Sequence, residues 1–402
     1  MKIVHVASWY VPNTGYEENF LPAEQAKLGH QVHIITSDRI PAYKGYKHHM
    51  GRFIDERIIG SGIFEDNNVT IHRLPCRLEV KNGGQVILKG LRRTLRELEP
   101  DVVQAHGTWT PPAILAVWYS KELGYKVFVD DHSHVDNFRT DSLLKKMYVK
   151  VAAVFYGVYG KRVSCWMPKT YAAKEIMQSL LKVPSDRTEV VHLGADATRF
   201  FKSDEYRAAG RALIGIKDDD TLIITSGKFD EPKDIHILIG AFHAVASKRD
   251  DVYLLLLGNG PESYMQRIRT LATSSDSSSR ILFKDFASHN ELPLYYNAAD
   301  LGVWPGAHSI TVIEAVATGL PVILPEEELA YGVLFKKDAA VGFKRGDSDS
   351  LSESVLKLLH DSNLKSKTIS NSLLLVKNTL SWRRIAERTI EIYSTNHDSN
   401  AP

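Results

Sequence analysis

Residues 299–325, ADLGVWPGAHSITVIEAVATGLPVILP, restrict the fold more than any other stretch. Two apolar runs, 301–304 and 321–324, enclose the turn Pro305-Gly306, the polar pair His308-Ser309, an apolar-periodic segment around Glu314, and Gly319. That order reads as strand, loop, helix, turn, strand: one βαβ unit. A parallel return needs such a helical crossover, which commits the chain to an α/β architecture. The loop-to-helix junction leaves the first helix amides without internal partners, where the dipole favours negative charge. A phosphate suits that position, and Glu314 is expected as an exposed carboxylate within reach of a sugar hydroxyl. The same residues also fit an ordinary helix start, with Ser309 as cap and Glu314 as a first-turn acid.

At 402 residues the chain is long for one core, and two domains of roughly 200 residues are expected. A formal net charge of +2 gives no reason to expect nucleic acid as a partner. The two cysteines, Cys76 and Cys165, form no CxxC or His-Cys cluster. That argues against a disulfide scaffold or a structural zinc, and suits a reducing compartment. No apolar run approaches the ~20 residues that span a bilayer. The start, MKIVHVASWYVP, is too short in apolar core for a signal peptide and reads as a first strand, so a cytoplasmic protein is expected.

The first 190 or so residues alternate strands and helices. Strand 2–8 runs into a loop with Pro12 and Gly15, then a helix over 21–28 stopped by Gly29, and strand 31–36. Ligands of open α/β sheets bind beyond the carboxyl ends of strands, so the Gly15 loop is expected at a binding face, although a glycine there also fits a plain turn. Residues 37–68 read as a long irregular surface loop with short elements, 69–74 is a strand, and 86–98 reads as an amphipathic helix with Leu88, Leu91, Leu95 and Leu98 on one face. Strand 101–106 ends in His106-Gly107-Thr108-Trp109, and strand 126–129 ends in Asp130-Asp131-His132-Ser133-His134. Polar groups at two strand ends of one sheet converge, and His132 is the leading acid, base or hydroxyl-binding candidate of this half. Over 143–159, Lys145, Lys146 and Lys150 interleave with Tyr148, Phe155, Tyr156 and Tyr159. That mixture suits a lipid headgroup surface or a surface helix packed through its aromatics. Strands 163–167 and 190–192 close the half around a helix over 170–181.

Residues 196–211 read as the crossing to a second half. It opens with strand 221–225 and the loop Gly227-Lys228-Phe229-Asp230-Glu231-Pro232-Lys233-Asp234, leading into helix 235–246. Two lysines flanking a turn before a helix make a clamp for a diphosphate, or simply two solvated cations. Strand 253–257 ends in Gly258-Asn259-Gly260, which lacks the full dinucleotide fingerprint. The closing helical pattern covers 382–393.

These pieces together resemble the retaining, metal-independent glycosyltransferases of the GT-B fold, of the family-4 type that elongates lipid-linked or surface glycans. The resemblance rests on the Pro12–Gly15 loop with LGHQVHIIT, then VVQAHGTW, VFVDDHSH, VVHLGADATRF, SGKFDEPKDIHILIGAF, LLLLGNGP, SITVIEAVATGLPVI and SWRRIAERTIEIY, in the family's order. It implies an α/β protein of two Rossmann-like domains facing across a deep cleft. An acceptor-side domain over 1–195 and a nucleotide-sugar domain over 196–381 follow, with helix 382–393 packing back on the first.

By the same resemblance, Lys228 and Lys233 would hold the diphosphate, where the family more often has Arg at the first position. Glu314 would bind the ribose, and His132 would sit by the transferred sugar. Gly15, Gly227 and Gly258 would admit the donor, with His308, Ser309 and the amides of Ile310 and Thr311 adding contacts. His106, Trp109, Asp131 and His134 would line the acceptor side. One position departs from the family: Gly306 stands where a sugar-binding Glu is usual, and His308 is a candidate substitute. The implied activity is transfer from a UDP- or GDP-sugar to a glycan or lipid-linked acceptor in cell-surface polysaccharide or lipopolysaccharide synthesis. Neither metal nor cofactor is implied, and peripheral contact with the inner membrane face is the open expectation raised by the stretch 143–159. A catalytically weak nucleotide-sugar-binding protein and a nucleotide-sugar epimerase stay open as alternatives.

Overall fold

The computed structural model describes residues 1–42, 54, 56–80, 84–134, 138 and 142–395. The chain forms two compact units, Met1–His192 with Trp382–Pro402, and Leu193–Ser381.

The first unit contains strands β1 (Lys2–Val6), β2 (Gln31–Ser37), β3 (Gly62–Asp66), β4 (Val69–Leu74), β5 (Cys76–Val80), β6 (Gln85–Leu88), β7 (Val102–His106), β8 (Lys126–Asp131) and β9 (Val163–Pro168). Seven of them make one sheet in the order β3-β4-β2-β1-β7-β8-β9, with β5 and β6 apart as a hairpin. Only the edge strand β3 is antiparallel to its neighbour. Central strands such as β7 are buried at every residue, as a parallel sheet covered on both faces requires. The covering helices are α1 (Glu17–Lys27), α2 (Leu91–Leu98), α3 (Pro111–Leu123), α4 (Leu143–Tyr159) and α5 (Tyr171–Leu181). Local sequence explains their ends. Thr110 caps α3 by accepting from the Ala113 amide, Pro111 opens it, and Gly124 closes it at φ 77°. The C-terminal helix Trp382–Thr395 packs on this unit, with Trp382 stacked on Phe20 at 5.5 Å and Tyr393 against Phe128 at 4.7 Å.

Two expected elements differ. The helix read over 86–98 is strand β6 followed by the shorter α2. Gly90, at φ 92°, breaks the backbone between them, and the leucines of both pieces merely share one core. The short element expected within 37–68 is β3, while 43–53 and 55 lie outside the described residues. At 190–192 there is no strand; β9 gains only an isolated bridge, from Trp166 to Thr188.

The second unit holds α6 (Asp204–Ile214), β10 (Thr221–Lys228), α7 (Ile235–Ala246), β11 (Val252–Asn259), α8 (Glu262–Ala272), β12 (Ile281–Lys284), α9 (Leu292–Ala298), β13 (Leu301–Val303), α10 (Thr311–Ala317), β14 (Val322–Pro325), β15 (Val341–Phe343), α11 (Ser348–His360) and α12 (Ser362–Leu375). Its sheet is wholly parallel, in the order β12-β11-β10-β13-β14-β15. The stretch 196–211, read as a crossing, runs into α6, where buried Arg211 donates to the Ala298 carbonyl at 2.8 Å and pairs with Asp300 at 3.3 Å.

Candidate active site

In the second unit the strand order reverses between β10 and β13. Loops leaving the carboxyl ends of those two strands diverge there, the place where open α/β sheets bind ligands. The loop after β10 carries Lys228 and Lys233, and the loop after β13 carries His308, Ser309, Ile310 and Thr311. The two loops are tied together. The Lys233 ammonium donates to the carbonyls of Ala307 at 2.8 Å and His308 at 2.5 Å, and the Ala307 amide donates to Pro232 at 2.8 Å. Beneath them the Trp304 indole donates to the Ser226 carbonyl at 3.0 Å, and the Ser309 and Thr311 hydroxyls lie 2.7 Å apart. Ser309 is therefore no helix cap. Its amide donates to the Tyr331 hydroxyl at 3.1 Å, and His308 lies against the Tyr331 ring at 5.3 Å.

Electrostatics distinguish the two lysines. Lys228, one-third exposed, pairs with Asp230 at 2.7 Å. Lys233 is far more enclosed; burial, reinforced by Lys228 and Arg345 and opposed by Asp230 and Glu328, pulls its ammonium down to about 8. Glycine is required around this turn. Gly227 and Gly258 are register partners at the ends of β10 and β11, and a Cβ on Gly258 would lie 1.9 Å from the Gly227 carbonyl oxygen. Gly306 packs on the lysine turn itself: a Cβ there would meet Pro232 O at 2.2 Å and the Lys233 carbonyl carbon at 2.5 Å. No side chain fits at 306 unless that turn moves.

Glu314 is not the exposed carboxylate expected. It is 5% exposed, and its Oε1 accepts from His289 Nε2 at 2.7 Å. Arg199 donates to His289 Nδ1 at 2.7 Å, which leaves the ring proton on Nε2 and aims it at Glu314. His289, Tyr331 and Arg345, which holds Asp234 at 3.1 Å, were not singled out by sequence. They sit in loops or short turns without periodicity, so no pattern marks them.

In the first unit the strand order reverses between β1 and β7, and that point is filled by buried polar side chains. His106 bonds through Nδ1 to Asp130 at 2.8 Å and through Nε2 to His5 at 2.9 Å. Burial opposes its charge, but Asp130 outweighs that and pushes the imidazole up to about 9. Burial and the adjacent His106 charge push His5 down to about 3. Lys169 lies 2.5 Å from Glu17 and 3.6 Å from Asp130. Glu17, His106 and Asp130 are grouped closely enough for a metal, but the Lys169 ammonium already supplies a cation against both carboxylates. Asp131 is also buried, accepting from the amides of Thr108 at 3.0 Å and Ser133 at 2.7 Å. Trp109 is buried against Phe138 at 4.8 Å. Of the residues expected on this side, His132 is exposed, His134 is half-buried, and Gly15 turns the β1–α1 loop at φ 79°.

Two family profiles match in tandem: "Glycosyltransferase Family 4" over residues 21–199 and "Glycosyl transferases group 1" over 208–373. The alpha-monoglucosyldiacylglycerol synthase of Acholeplasma laidlawii is 23% identical over 319 residues, spanning 75% of this chain and 74% of that one. Its counterpart in Streptococcus pneumoniae is 24% identical over 218 residues, 52% of this chain and 48% of that one. The chain spans about half the length of the first curated relatives it matches, 57% and 48%. The crystal structure of Anabaena HepE in complex with UDP superposes with a TM-score of 0.74 at 15% identity, over 98% of this chain and 100% of that one. Two Rossmann-like units in one chain with that match define the GT-B fold. The chain belongs to the GT-B glycosyltransferases of the family-4 type.

Proposed function

We propose that the chain is a retaining, metal-independent glycosyltransferase that moves a sugar from a UDP- or GDP-sugar to a glycan or lipid-linked acceptor. Its setting is cell-surface polysaccharide or lipopolysaccharide synthesis, in the cytoplasm and at the inner membrane face. The observation that carries the reading is the position of Lys233, fastened to the loop that leads into α10 at the β10–β13 divergence. As the glycosidic bond breaks, negative charge grows on the departing diphosphate. Lys228, Lys233 and the amides of Ile310 and Thr311 stabilise it from fixed positions, with Gly227 and Gly258 keeping the strand ends bare. Glu314, oriented by His289, holds the ribose, while Ser309 and His308 complete the donor pocket. His132 acts beside the sugar, His134 and Gly15 accompany it, and the buried His106, Trp109 and Asp131 position those strand ends from behind.

The UDP and UDP-glucose named for two HepE structures support a nucleotide-sugar donor. The monoglucosyldiacylglycerol synthases and phosphatidyl-myo-inositol mannosyltransferases among the relatives support a lipid acceptor. No described helix is long and apolar enough to cross a membrane. A panel of UDP-, GDP- and ADP-sugars in a thermal-shift screen identifies the donor, because a ligand of the folded state raises the melting temperature. Transfer from that donor should survive EDTA; loss of turnover on chelation sinks the metal-free mechanism. Gly306 favours a second reading, a binding protein of low turnover. Donor stabilisation without product from any acceptor, or consumption of donor without acceptor as an epimerase would show, decides against transfer.

A further inference from the structure

Helix α4 is anchored inward by its aromatic side and leaves an aliphatic side uncovered. Tyr148 donates to the Trp109 carbonyl at 2.6 Å and Tyr156 to the Thr108 carbonyl at 2.8 Å, with Ala152 and Tyr156 buried beneath. Of the two readings the sequence left open for these aromatics, packing of the helix through them is the one seen for Tyr148 and Tyr156. Opposite them, Leu143, Leu144, Met147, Val151, Val154 and Val158 are 58–80% exposed. Positions 143, 147, 151, 154 and 158 fall within about 80° of one another on a helix turning 100° per residue, with Leu144 beside them. Scattered exposed aliphatics are ordinary, but six on one face of a 17-residue helix are not.

The charge pattern says what covers this face. Helix α4 carries Lys145, Lys146 and Lys150 and no acid. Lys146 and Lys150 fall along one margin of the stripe, and exposed Lys161 follows its C-terminal end. Trp118, 46% exposed, continues the apolar surface beneath the Arg162 guanidinium, which also lies over the Tyr159 ring at 4.6 Å. A second copy of the helix would set lysines against lysines. An anionic lipid surface satisfies both halves of the pattern: aliphatic tips enter the acyl boundary while lysine stems reach back to the headgroups.

We propose that the outward face of α4 is a docking surface for a bilayer rich in anionic lipid. This deepens the membrane contact of the proposed function by naming its surface and its lipid charge. It does not depend on the sugar chemistry, because the test requires no turnover. The full chain is sedimented with vesicles of phosphatidylcholine alone, or with about one-third phosphatidylglycerol. Binding is expected to the anionic vesicles, weak to the neutral ones, and reduced in about 0.5 M salt. Met147→Glu with Val151→Glu should lower vesicle affinity tenfold or more, roughly. Both side chains already face water, so the melting temperature and its rise on donor binding should not move. Lys146→Glu with Lys150→Glu should abolish the preference for anionic vesicles. The proposal fails if wild-type protein ignores anionic vesicles or if the Met147/Val151 variant binds them like wild type. It also fails if the face proves to be a dimer contact, with that variant turning a dimer into a monomer while vesicle binding is unchanged.

Discussion

The Tyr393 hydroxyl, on the C-terminal helix, donates to the side-chain carbonyl of Gln104 on β7, joining residues 289 positions apart. The bond belongs to a closed circuit in the first unit. His106 donates to His5 at 2.9 Å, His5 to Gln25 at 2.7 Å, and Gln25 to Thr389 at 3.0 Å and Tyr393 at 3.4 Å. Gln104 completes it by donating to Asp130 at 2.5 Å. His106 starts it with two protons, one to His5 and one to Asp130, and the other arm, through Gln25, Tyr393 and Gln104, ends on Asp130 as well. A circuit with every partner satisfied rigidifies, whereas an interrupted one leaves buried groups bare.

Tyr393→Phe should therefore cost more than a lone hydroxyl. The Gln104 carbonyl loses its donor in a buried site, a penalty of about 1–3 kcal/mol. Urea denaturation monitored by circular dichroism measures it. A change below about 0.5 kcal/mol, the scale of a surface substitution, means the circuit does not hold the helix.

The same circuit sets a pH dependence. His106 is raised from 6.5 to about 9, so its contribution is complete below pH 6.5 and is lost as pH rises through about 9. His5, lowered from 6.5 to about 3, acts on the other flank: the fold favours its neutral form, and stability falls as pH drops below 6.5. Melting temperatures of wild type and His106→Gln, recorded across the alkaline range, separate this from other groups. The gap between the curves should be widest near pH 6 and shrink toward pH 10. Lys233, whose ammonium the fold disfavours, titrates with the opposite sign and cancels in the difference. Parallel curves would remove His106 as the origin.

Lys233 yields a prediction on binding. Its ammonium is present below about pH 8 and fades above it. UDP affinity, measured by calorimetry, should be level below that pH and fall by up to about tenfold per unit above it. Lys233→Arg, which stays charged, should move the fall beyond the measurable range. Lys233→Ala should cut turnover by about 100- to 1000-fold with the circular dichroism spectrum unchanged. Turnover within a few-fold of wild type would dismiss the residue from the site.

Much of this was legible in the chain. The apolar runs that became β10, β11, β13 and β14 are buried on both faces, so their sequences announce themselves, and the loops following β10 and β13 carry the lysines and small polar residues. What sequence hid are relationships over long separations. Glu314 looks like an exposed first-turn acid until His289, 25 positions earlier, is found against it. His106 looks like a binding residue until His5, 101 positions away, and Asp130 enclose it. The hairpin β5–β6 was missed because both strands are short and half-exposed, without a run long enough to show a period.

Gly306 offers the sharpest test of how the donor loops fit. Any side chain there must displace the backbone of Pro232 and Lys233, since its Cβ would lie 2.2 Å from one carbonyl oxygen and 2.7 Å from the Lys233 Cα. Backbone cannot swing aside as a flexible side chain can, so Gly306→Ala should destabilise the second unit by about 1–3 kcal/mol. The displaced turn carries Lys233 off the Ala307 and His308 carbonyls, so UDP affinity should fall with stability. Gly306→Glu, which installs the residue expected there from the family resemblance, should for the same reason fail to raise turnover. Urea denaturation and calorimetry on both variants check the pair of effects together. If Gly306→Glu matches wild type in stability and transfers sugar faster, the two loops are not locked to each other, and the contact between Gly306 and the lysine turn does not shape the donor site.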